Sequence, residues 1–391
     1  MAHGEGTLRA LLRTVAQDNY YDDDKIDVKE ITSGGANYTS ILYLATISSP
    51  SKPDLKLFAK VGCFSEKIRA KVNANRMYKT EDIIYNRLVN LWENLQEKYQ
   101  VPEDRRFVFP KYYAGSLKVG SETVVLEDLA VAGYRSFNRF KSMDWEHAAS
   151  AVTELAKYHA LSFILEKEDP VVYGEVVKEL TFQPMAVDQE TRALWEKTIS
   201  GAAQVIDEQH RGKMMNFFTN ATGNVYTEFH TPRGRPILVH GDYRLSNLLF
   251  RKQNGKLESI VLDYQTVHTG CPVTDLIYLV FMGSDATFRS QHFQELVEHY
   301  YQQLGLQLRL YQMEIDDVYP RKEFDEDMKK LLPYAILLGV IILPVVTVEA
   351  ERAPCTHDDD AQLEDFIVKP NELYAERFGG LVSDLVAWGA I

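Results

Sequence analysis

The stretch "HGDYRLSNLLF", from His240 to Phe250, places an aspartate and an asparagine between two runs that are typical of short β-strands. It follows "RPILV" and precedes "ESIVLDYQ", which ends with a second aspartate, Asp263, and two further residues. Mg²⁺ commonly takes one or two protein carboxylates together with phosphate and water oxygens, so Asn247 and Asp263 suit a metal site. Asp242 could accept the proton of an attacking hydroxyl. Gly241 permits a sharp backbone bend beside it.

Each of these residues alone could be an ordinary turn former. Taken together, and flanked by strand-like runs, they predict one site that handles a metal ion and a phosphate group. The motif therefore indicates phosphoryl-transfer chemistry.

The composition bounds the class of protein. The chain has 391 residues, of which 45% are hydrophobic, and a formal net charge of −13. It is long enough for one large domain or two lobes that share a cleft. An acidic surface repels phosphate backbones, so we expect no nucleic-acid partner. Three widely spaced cysteines and an N-terminus without an apolar signal core predict a cytoplasmic protein.

One uncharged stretch, Leu331 to Val348, is about long enough to span a bilayer. Prolines at positions 333 and 344 interrupt it, and acidic segments flank it on both sides. A buried core helix that begins at Pro333 and ends near Pro344 is the better interpretation. We therefore expect no membrane contact.

The pattern along the chain changes near residues 129 to 134. Before that point, five strand-like runs and one long helical stretch, residues 67 to 99, predict a small sheet with a helix. After it, helical periodicity dominates, beginning with a helix from Met143 to about Glu168 that Ser142 would cap. We expect an N-lobe over residues 1 to 130 and a mostly helical C-lobe over residues 131 to 391.

The motifs then resemble a known superfamily. His-x-Asp followed by Asn five residues later resembles the catalytic loop of protein kinases, and Gly241 resembles the aminoglycoside and choline phosphotransferase branch. "LDYQ" (262–265), "CPVTDLIYLV" (271–280) and "VVLEDLAVAGY" (124–134) resemble the ecdysteroid kinase-like family of arthropods. The resemblance runs from about Ile31 to Phe288. It departs at Arg244, where that family often has Trp.

The resemblance implies a fold and two cofactors. The fold is a two-lobed α+β protein kinase-like fold, in which an N-lobe of five antiparallel strands plus a helix precedes a helical C-lobe. The cofactors are ATP and Mg²⁺, with Asp242 as the catalytic base and Asn247 and Asp263 as metal ligands.

Further nucleotide-binding residues follow from the same resemblance. Lys60, in "LFAKV", would reach the phosphates, and Glu81 in the next helix would hold it, with Asp82 as the rival. The loop "SGGANY" (33–38) would cover the phosphates, although by its pattern alone it is an ordinary hairpin turn. Its residues implied in binding are Gly34, Gly35 and Asn37. The backbone of Glu127 and Leu129 would meet adenine. His159 is expected to be a hydrogen-bonded core residue that braces the catalytic loop.

The acceptor is expected to be a small, largely apolar alcohol, with an ecdysteroid as the leading candidate. Aromatic and apolar residues of the helical half could line its pocket, although residues of this kind more often belong to the core; they are Tyr278, Phe281, Phe288, Tyr300, Tyr301, Tyr334 and the stretch Leu331 to Val348. The acidic segment 314–327 keeps a choline- or aminoglycoside-type acceptor open. A nucleotide-binding pseudokinase scaffold is a further alternative. Asp-Phe-Gly and Ala-Pro-Glu motifs are absent, which disfavours a protein kinase. The pattern predicts no oligomeric state.

Overall fold

A computed structural model describes residues 4–22, 24–32, 34, 40–184, 188–220, 225–352 and 367–391. It has two lobes, an antiparallel five-stranded sheet with helices followed by a mostly helical part. The predicted α+β kinase-like fold class is confirmed.

The N-lobe sheet has the strand order β1-β2-β3-β5-β4, with every neighbouring pair antiparallel. Its strands are β1 Lys25–Ile31, β2 Ser40–Ser49, β3 Lys52–Gly62, β4 Tyr112–Ser116 and β5 Thr123–Glu127. A helix that the sequence pattern did not predict, α1 (Glu5–Asp18), packs Leu8 and Leu12 against buried Leu57 and Ala59 of β3. Burial of these side chains against one face leaves the other face of the sheet to line a cleft.

The predicted stretch over residues 67 to 99 is helical, but it is not the one long helix that was expected. The chain forms α2 (Glu66–Val72) and α3 (Ala74–Ile83), then one π-helical turn, and then α4 (Val89–Lys98). The first break is at Asn73, whose φ of 53° lies in the left-handed region that asparagine tolerates better than most residues.

The C-lobe begins with α5 (Trp145–Glu168), whose apolar stripe is buried. Its N-cap is Asp144, which accepts a hydrogen bond from the His147 backbone N–H at 2.9 Å. The expected cap, Ser142, instead accepts from the backbone N–H of Asp285 at 3.0 Å. The reason is chemical: the Asp144 carboxylate, two residues further along the chain, is the better acceptor for the first-turn N–H groups.

Short strands and further helices complete the C-lobe. The strands form a three-stranded sheet of order β6-β8-β9 and a β10-β7 pair. They are β6 Arg135–Ser136, β7 Ile237–Val239, β8 Leu248–Gln253, β9 Lys256–Val261 and β10 His268–Gly270. The helices are α6 Pro170–Glu179, α7 Gln189–Gln204, α8 Glu208–Asn220, α9 Val225–His230, α10 Val273–Gly283, α11 Ala286–Leu310, α12 Ile315–Val318, α13 Arg321–Leu331, α14 Tyr334–Ile341, α15 Leu343–Thr347 and α16 Glu372–Ala387.

The uncharged stretch forms two buried helices rather than one. Helix α14 begins directly after Pro333, as expected, but the chain resumes a helix at α15 with Pro344 in its first turn, where proline is tolerated. Within the ranges given above, no helix is both long enough and apolar enough to cross a membrane.

Candidate active site

The catalytic-loop motif bends sharply where β7 ends. Gly241 has a φ of 79°, and a Cβ at this position would lie 2.6 Å from the carbonyl oxygen of Thr266, so only glycine fits. The ring of His240 lies within this bend. Its Nε2 is 3.0 Å from the Leu262 carbonyl oxygen, and its Nδ1 accepts from the Asp242 backbone N–H at 3.3 Å. The histidine therefore joins the loop to the end of β9.

A buried carboxylate on α10 holds the backbone of the same loop. Asp275 accepts hydrogen bonds from the backbone N–H groups of His240, at 2.6 Å, and Gly241, at 2.9 Å. His159 lies 3.1 Å from Asp275 through Nε2 and 2.7 Å from the Tyr300 hydroxyl through Nδ1. Burial alone would raise the pKa of Asp275, but these donors lower it below its ordinary value. His159 is thus a hydrogen-bonded core residue that supports the loop.

The carboxylate of Asp242 is surrounded by three donors. The Tyr278 hydroxyl donates to Oδ1 at 2.5 Å, and Arg244 Nε lies 3.1 Å from the same oxygen. Asn247 Nδ2 donates to Oδ2 at 2.9 Å and also to the Asp242 carbonyl oxygen. These contacts direct the amide nitrogen of Asn247 toward Asp242, so its amide oxygen is oriented away from that carboxylate.

Asp263 lies opposite, at the end of β9, in a left-handed backbone conformation with a φ of 67°. Lys60 Nζ is 2.6 Å from Asp263 Oδ1 and 2.8 Å from Glu81 Oε2. Burial raises the pKa of Asp263, but the ammonium of Lys60 outweighs it and holds that pKa below its ordinary value. The rival carboxylate, Asp82, instead accepts from Asn86. The structure thus brings Lys60 to Glu81 rather than to Asp82.

A cavity of about 440 Å³ lies between the lobes. Its polar and charged lining includes Lys60, Glu81, Asn247 and Asp263. Residues 127 to 130 line the same cavity. Its apolar walls come from Ile31, Leu42, Leu44, Phe58, Val124, Leu126, Leu249 and Leu262. Both predicted linker residues, Glu127 and Leu129, therefore border the same space as the charged cluster.

A second cavity, of about 250 Å³, also has Asp263 in its lining. Its polar lining includes Asp242, Arg244, Asp263 and Gln265. Its tyrosine and apolar lining consists of Met77, Tyr226, Tyr278, Tyr334, Leu337, Leu338, Ile341, Ile342 and Val345. Asp263 therefore borders both cavities.

Some of the aromatic residues that could have lined an acceptor pocket belong to the core instead. Phe281, Phe288, Tyr300 and Tyr301 are packed in the hydrophobic core. An aromatic residue in a helix has no sequence signal that separates a core face from a pocket face, so the aromatic content alone overpredicted the lining.

Of the three residues of the loop before β2 that were expected to bind nucleotide, the structure describes only Gly34. Gly34 has a φ of 61°, and its N–H donates to Thr32 Oγ1 at 3.1 Å. Its carbonyl oxygen accepts from Arg139 Nη2 at 2.9 Å, and the same guanidinium donates to three carbonyl oxygens at the end of α15. Gly35 and Asn37 lie outside the described residues. Arg139 was missed because no local motif marks it.

The donor set fits a magnesium ion held together with phosphate. Asn247 and Asp263 offer an amide oxygen and a carboxylate on the same cavity wall, and Mg²⁺ needs few protein oxygens when phosphate and water supply the rest. In the described part of the chain, no cluster of three or more His, Cys, Asp or Glu side chains could hold a metal by itself. The geometry suits a metal that arrives with a nucleotide.

A cleft between two lobes, a lysine–glutamate ion pair on the sheet side and an Asp–Asn–Asp set on the helical side define a kinase-like phosphotransferase. The sequence model of the ecdysteroid kinase-like family matches residues 34–313, and the chain belongs to that family. It is a small-molecule kinase, in which the acceptor group is an alcohol.

The chain is also similar, at low sequence identity, to solved structures of small-molecule kinases. A microcompartment-associated aminopropanol kinase is 10% identical, with coverage of 97% of this chain and 98% of that chain and a TM-score of 0.40. An aminoglycoside-3'-phosphotransferase of type VIII is 14% identical, with coverage of 84% and 100% and a TM-score of 0.34. A glucosamine kinase in complex with glucosamine, ADP and phosphate is 13% identical, with coverage of 89% and 84% and a TM-score of 0.38. A search of curated protein sequences found no match.

Proposed function

We propose that the chain transfers the γ-phosphoryl group of ATP to a hydroxyl of a small, largely apolar alcohol. The observation that carries this proposal is that Asp263 lines two cavities, of which one is also lined by Lys60 and the other by Asp242. In an in-line reaction the donor and acceptor must meet at one phosphorus atom from opposite sides. Two cavities that share one carboxylate support the proposal of such an arrangement.

The larger cavity is the proposed ATP site. Lys60, held by Glu81, would contact the phosphates. Adenine would lie against the linker at Glu127 and Leu129. Among the described residues the Leu129 backbone N–H makes no hydrogen bond, so it is available to a base edge. Gly34 belongs to the loop proposed to cover the phosphates, together with Gly35 and Asn37.

Asn247 and Asp263 are the proposed magnesium ligands. When bound, the ion would neutralise charge on the β- and γ-phosphate oxygens. On the protein side, Asn247 is held by its amide N–H donation to Asp242, and Asp263 by its left-handed backbone. Both oxygen donors are therefore held by groups other than the metal.

Asp242 is the proposed general base. The acceptor oxygen would bond to the γ-phosphorus while the bond from that phosphorus to the ADP oxygen breaks. The hydroxyl proton would pass to the Asp242 carboxylate. Because the transition state is loose, positioning and charge stabilisation supply most of the acceleration, so Asp242 does not need to be a strong base.

The smaller cavity favours an uncharged acceptor. Among its described lining residues the only carboxylates are Asp242 and Asp263, and each has a cationic neighbour, Arg244 or Lys60. An ammonium acceptor would therefore find no carboxylate without a competing cation. No residue of the acidic segment 314–327 lines this cavity. The aliphatic wall from α14 and α15 suits an apolar ring system instead.

An ecdysteroid remains the leading candidate, and the size of the cavity sharpens its test. A volume of about 250 Å³ lies just below the range of about 300 to 1,000 Å³ usual for ligand pockets. A steroid would therefore extend beyond this cavity, whereas a smaller alcohol would fit inside it.

The test is competition among acceptors. Purified protein, Mg²⁺ and γ-labelled ATP are incubated with equal concentrations of an ecdysteroid, choline and an aminoglycoside. Preferential labelling of the ecdysteroid supports the proposal. Preferential labelling of choline or the aminoglycoside rejects the apolar acceptor but keeps the kinase. ATP binding without turnover, with or without an acceptor, favours the pseudokinase scaffold.

A further inference from the structure

Helix α10 presents two polar side chains to the catalytic loop. Asp275 and Tyr278 are three residues apart, so they lie on the same helix face. Asp275 accepts from the loop backbone at His240 and Gly241. Tyr278 reaches one residue further and donates its hydroxyl to Asp242 Oδ1 at 2.5 Å. Helix α10 therefore contacts both the backbone of the catalytic loop and the carboxylate of Asp242 in that loop.

The surroundings of Tyr278 favour a lasting hydrogen bond. The residue is 3% exposed, and its side chain lines the smaller cavity. Burial, and then the charge of Asp242, raise the pKa of Tyr278 well above its ordinary value, so its hydroxyl keeps its proton and acts as a donor. Hydrogen bonds from a neutral donor to a carboxylate are among the stronger ones in proteins.

Tyr278 and Asn247 act on different oxygens of the same carboxylate. Tyr278 donates to Oδ1 and Asn247 to Oδ2. The terminal torsion of an aspartate side chain is intrinsically broad, so donors at both oxygens are what define the plane of the carboxylate. Arg244 Nε approaches between them, at 3.1 Å from Oδ1 and 3.2 Å from Oδ2.

We propose that Tyr278 is a positioning residue for phosphoryl transfer, which orients the Asp242 carboxylate so that Oδ1 faces the acceptor cavity. This inference rests on the proposed function of Asp242. Asn247 orients the oxygen on the metal side, and Tyr278 orients the oxygen on the acceptor side. An acceptor hydroxyl would enter next to the phenol and donate to the same edge of the carboxylate.

The test removes one hydroxyl and keeps the ring. Tyr278→Phe is expected to lower kcat for ATP turnover roughly 10- to 100-fold, the effect of losing a hydrogen bond to a charged group. The dissociation constant for Mg-ATP should change by less than about twofold, because Lys60 and Glu81 are untouched. A role that was only structural would instead lower Tm and weaken nucleotide binding along with kcat.

Tyr301→Phe is the matched control. Tyr301 is also a buried tyrosine, and its hydroxyl donates to the Tyr319 carbonyl oxygen at 3.1 Å, away from both cavities. The kcat of this variant should stay within about twofold of wild type. Such a result would show that losing a buried tyrosine hydrogen bond does not by itself cause the fall in kcat expected for Tyr278→Phe.

The measurement uses Mg-ATP with water as the acceptor and then with an ecdysteroid. A selective fall in kcat for Tyr278→Phe in either assay supports the inference. A kcat within about threefold of wild type, or a fall matched by a large loss of Tm, overturns it while the proposed function stands. A wild-type protein without turnover overturns the proposed function and this inference together.

Discussion

Lys60 Nζ lies 2.6 Å from Asp263 Oδ1, although 203 residues separate the two along the chain. The contact joins β3 of the N-lobe to the end of β9 in the C-lobe. Both groups are largely buried, and each stabilises the charged form of the other: burial alone would lower the pKa of Lys60, but the two carboxylates raise it above its ordinary value. The cation therefore lies beside the proposed metal ligand Asp263, in the cavity proposed to bind ATP.

The Lys60–Glu81 ion pair should act as a unit. Lys60→Ala and Glu81→Ala are each expected to lower kcat/KM for ATP by roughly 100-fold, and the double variant should fall little further, because partners in contact are not additive. Steady-state kinetics in ATP measures this. Asp82→Ala, one residue along α3 and bonded to Asn86 instead, is the control that should keep activity. Additive losses would show that the pair does not act jointly.

The proposed metal ligands make a second prediction. Asp263→Ala should remove the Mg²⁺ dependence of ATP binding, and Asn247→Ala should raise the Mg²⁺ concentration needed for half-maximal activity roughly tenfold, because each removes one hard oxygen ligand. Calorimetric titration of ATP with and without Mg²⁺ decides the first, and kinetics across Mg²⁺ concentrations decides the second. An unchanged metal dependence in both variants would exclude these residues as ligands.

The fold class and the family could be predicted from the sequence because the residues that define them occur in compact local motifs. "HGDYRLSN" and "LDYQ" each place their polar residues beside strands, so hydrophobic patterning and turn chemistry already bring the polar residues to one edge. The Lys60–Glu81 contact followed from the resemblance alone. Contacts without a local signal were missed, namely Arg139 on the Gly34 carbonyl and Tyr278 on Asp242.

Other differences arise from tertiary structure. The helix break at Asn73 could not be predicted because no proline or glycine, the usual sequence signals of a break, occurs there. The aromatic residues of α11, Phe288, Tyr300 and Tyr301, have the same helical pattern whether they face a cavity or the core. Only packing separates these possibilities.

A buried histidine predicts how stability depends on pH. His230 Nδ1 is 2.7 Å from the Tyr226 carbonyl oxygen and its Nε2 is 3.2 Å from the Tyr334 hydroxyl. Burial, and then the nearby His268, lower the pKa of His230 to about 3. The folded state therefore binds fewer protons than the unfolded state below pH ~6.5. The contribution of neutral His230 to the unfolding free energy is therefore fully present above that pH, and it is lost as the pH falls toward 3.

Thermal unfolding between pH 7.5 and 4.5 measures this effect. His230→Gln should flatten the pH dependence of the unfolding free energy by up to about 1.4 kcal/mol per pH unit below pH ~6. The remaining slope would come from other groups, including His159 and His268, whose pKa values burial also lowers. A slope unaffected by the substitution would contradict the assigned shift.

Arg139 should couple the loop at Gly34, which is proposed to cover the phosphates, to the wall of the smaller cavity. Its guanidinium joins the Gly34 carbonyl to the last carbonyls of α15, and Val345 of that helix lines the smaller cavity. Arg139→Ala should raise KM for ATP roughly three- to tenfold, because several hydrogen bonds from a charged donor are lost together. Arg251→Ala removes an equal charge from the ion pair with Glu258 and serves as the control. Equal KM values in the two variants would refute the coupling.

Asp242→Asn tests the central claim most directly. Asparagine keeps the size of the side chain but cannot accept the hydroxyl proton as a carboxylate does. Wild-type and variant protein are saturated with Mg²⁺ and γ-labelled ATP, and the rate at which label reaches the acceptor preferred by the wild type is followed in a single turnover. We predict that the variant binds ATP as tightly as wild type and transfers label about 10²- to 10⁴-fold more slowly. A transfer rate within about threefold of wild type would contradict the assignment of Asp242 as the catalytic base.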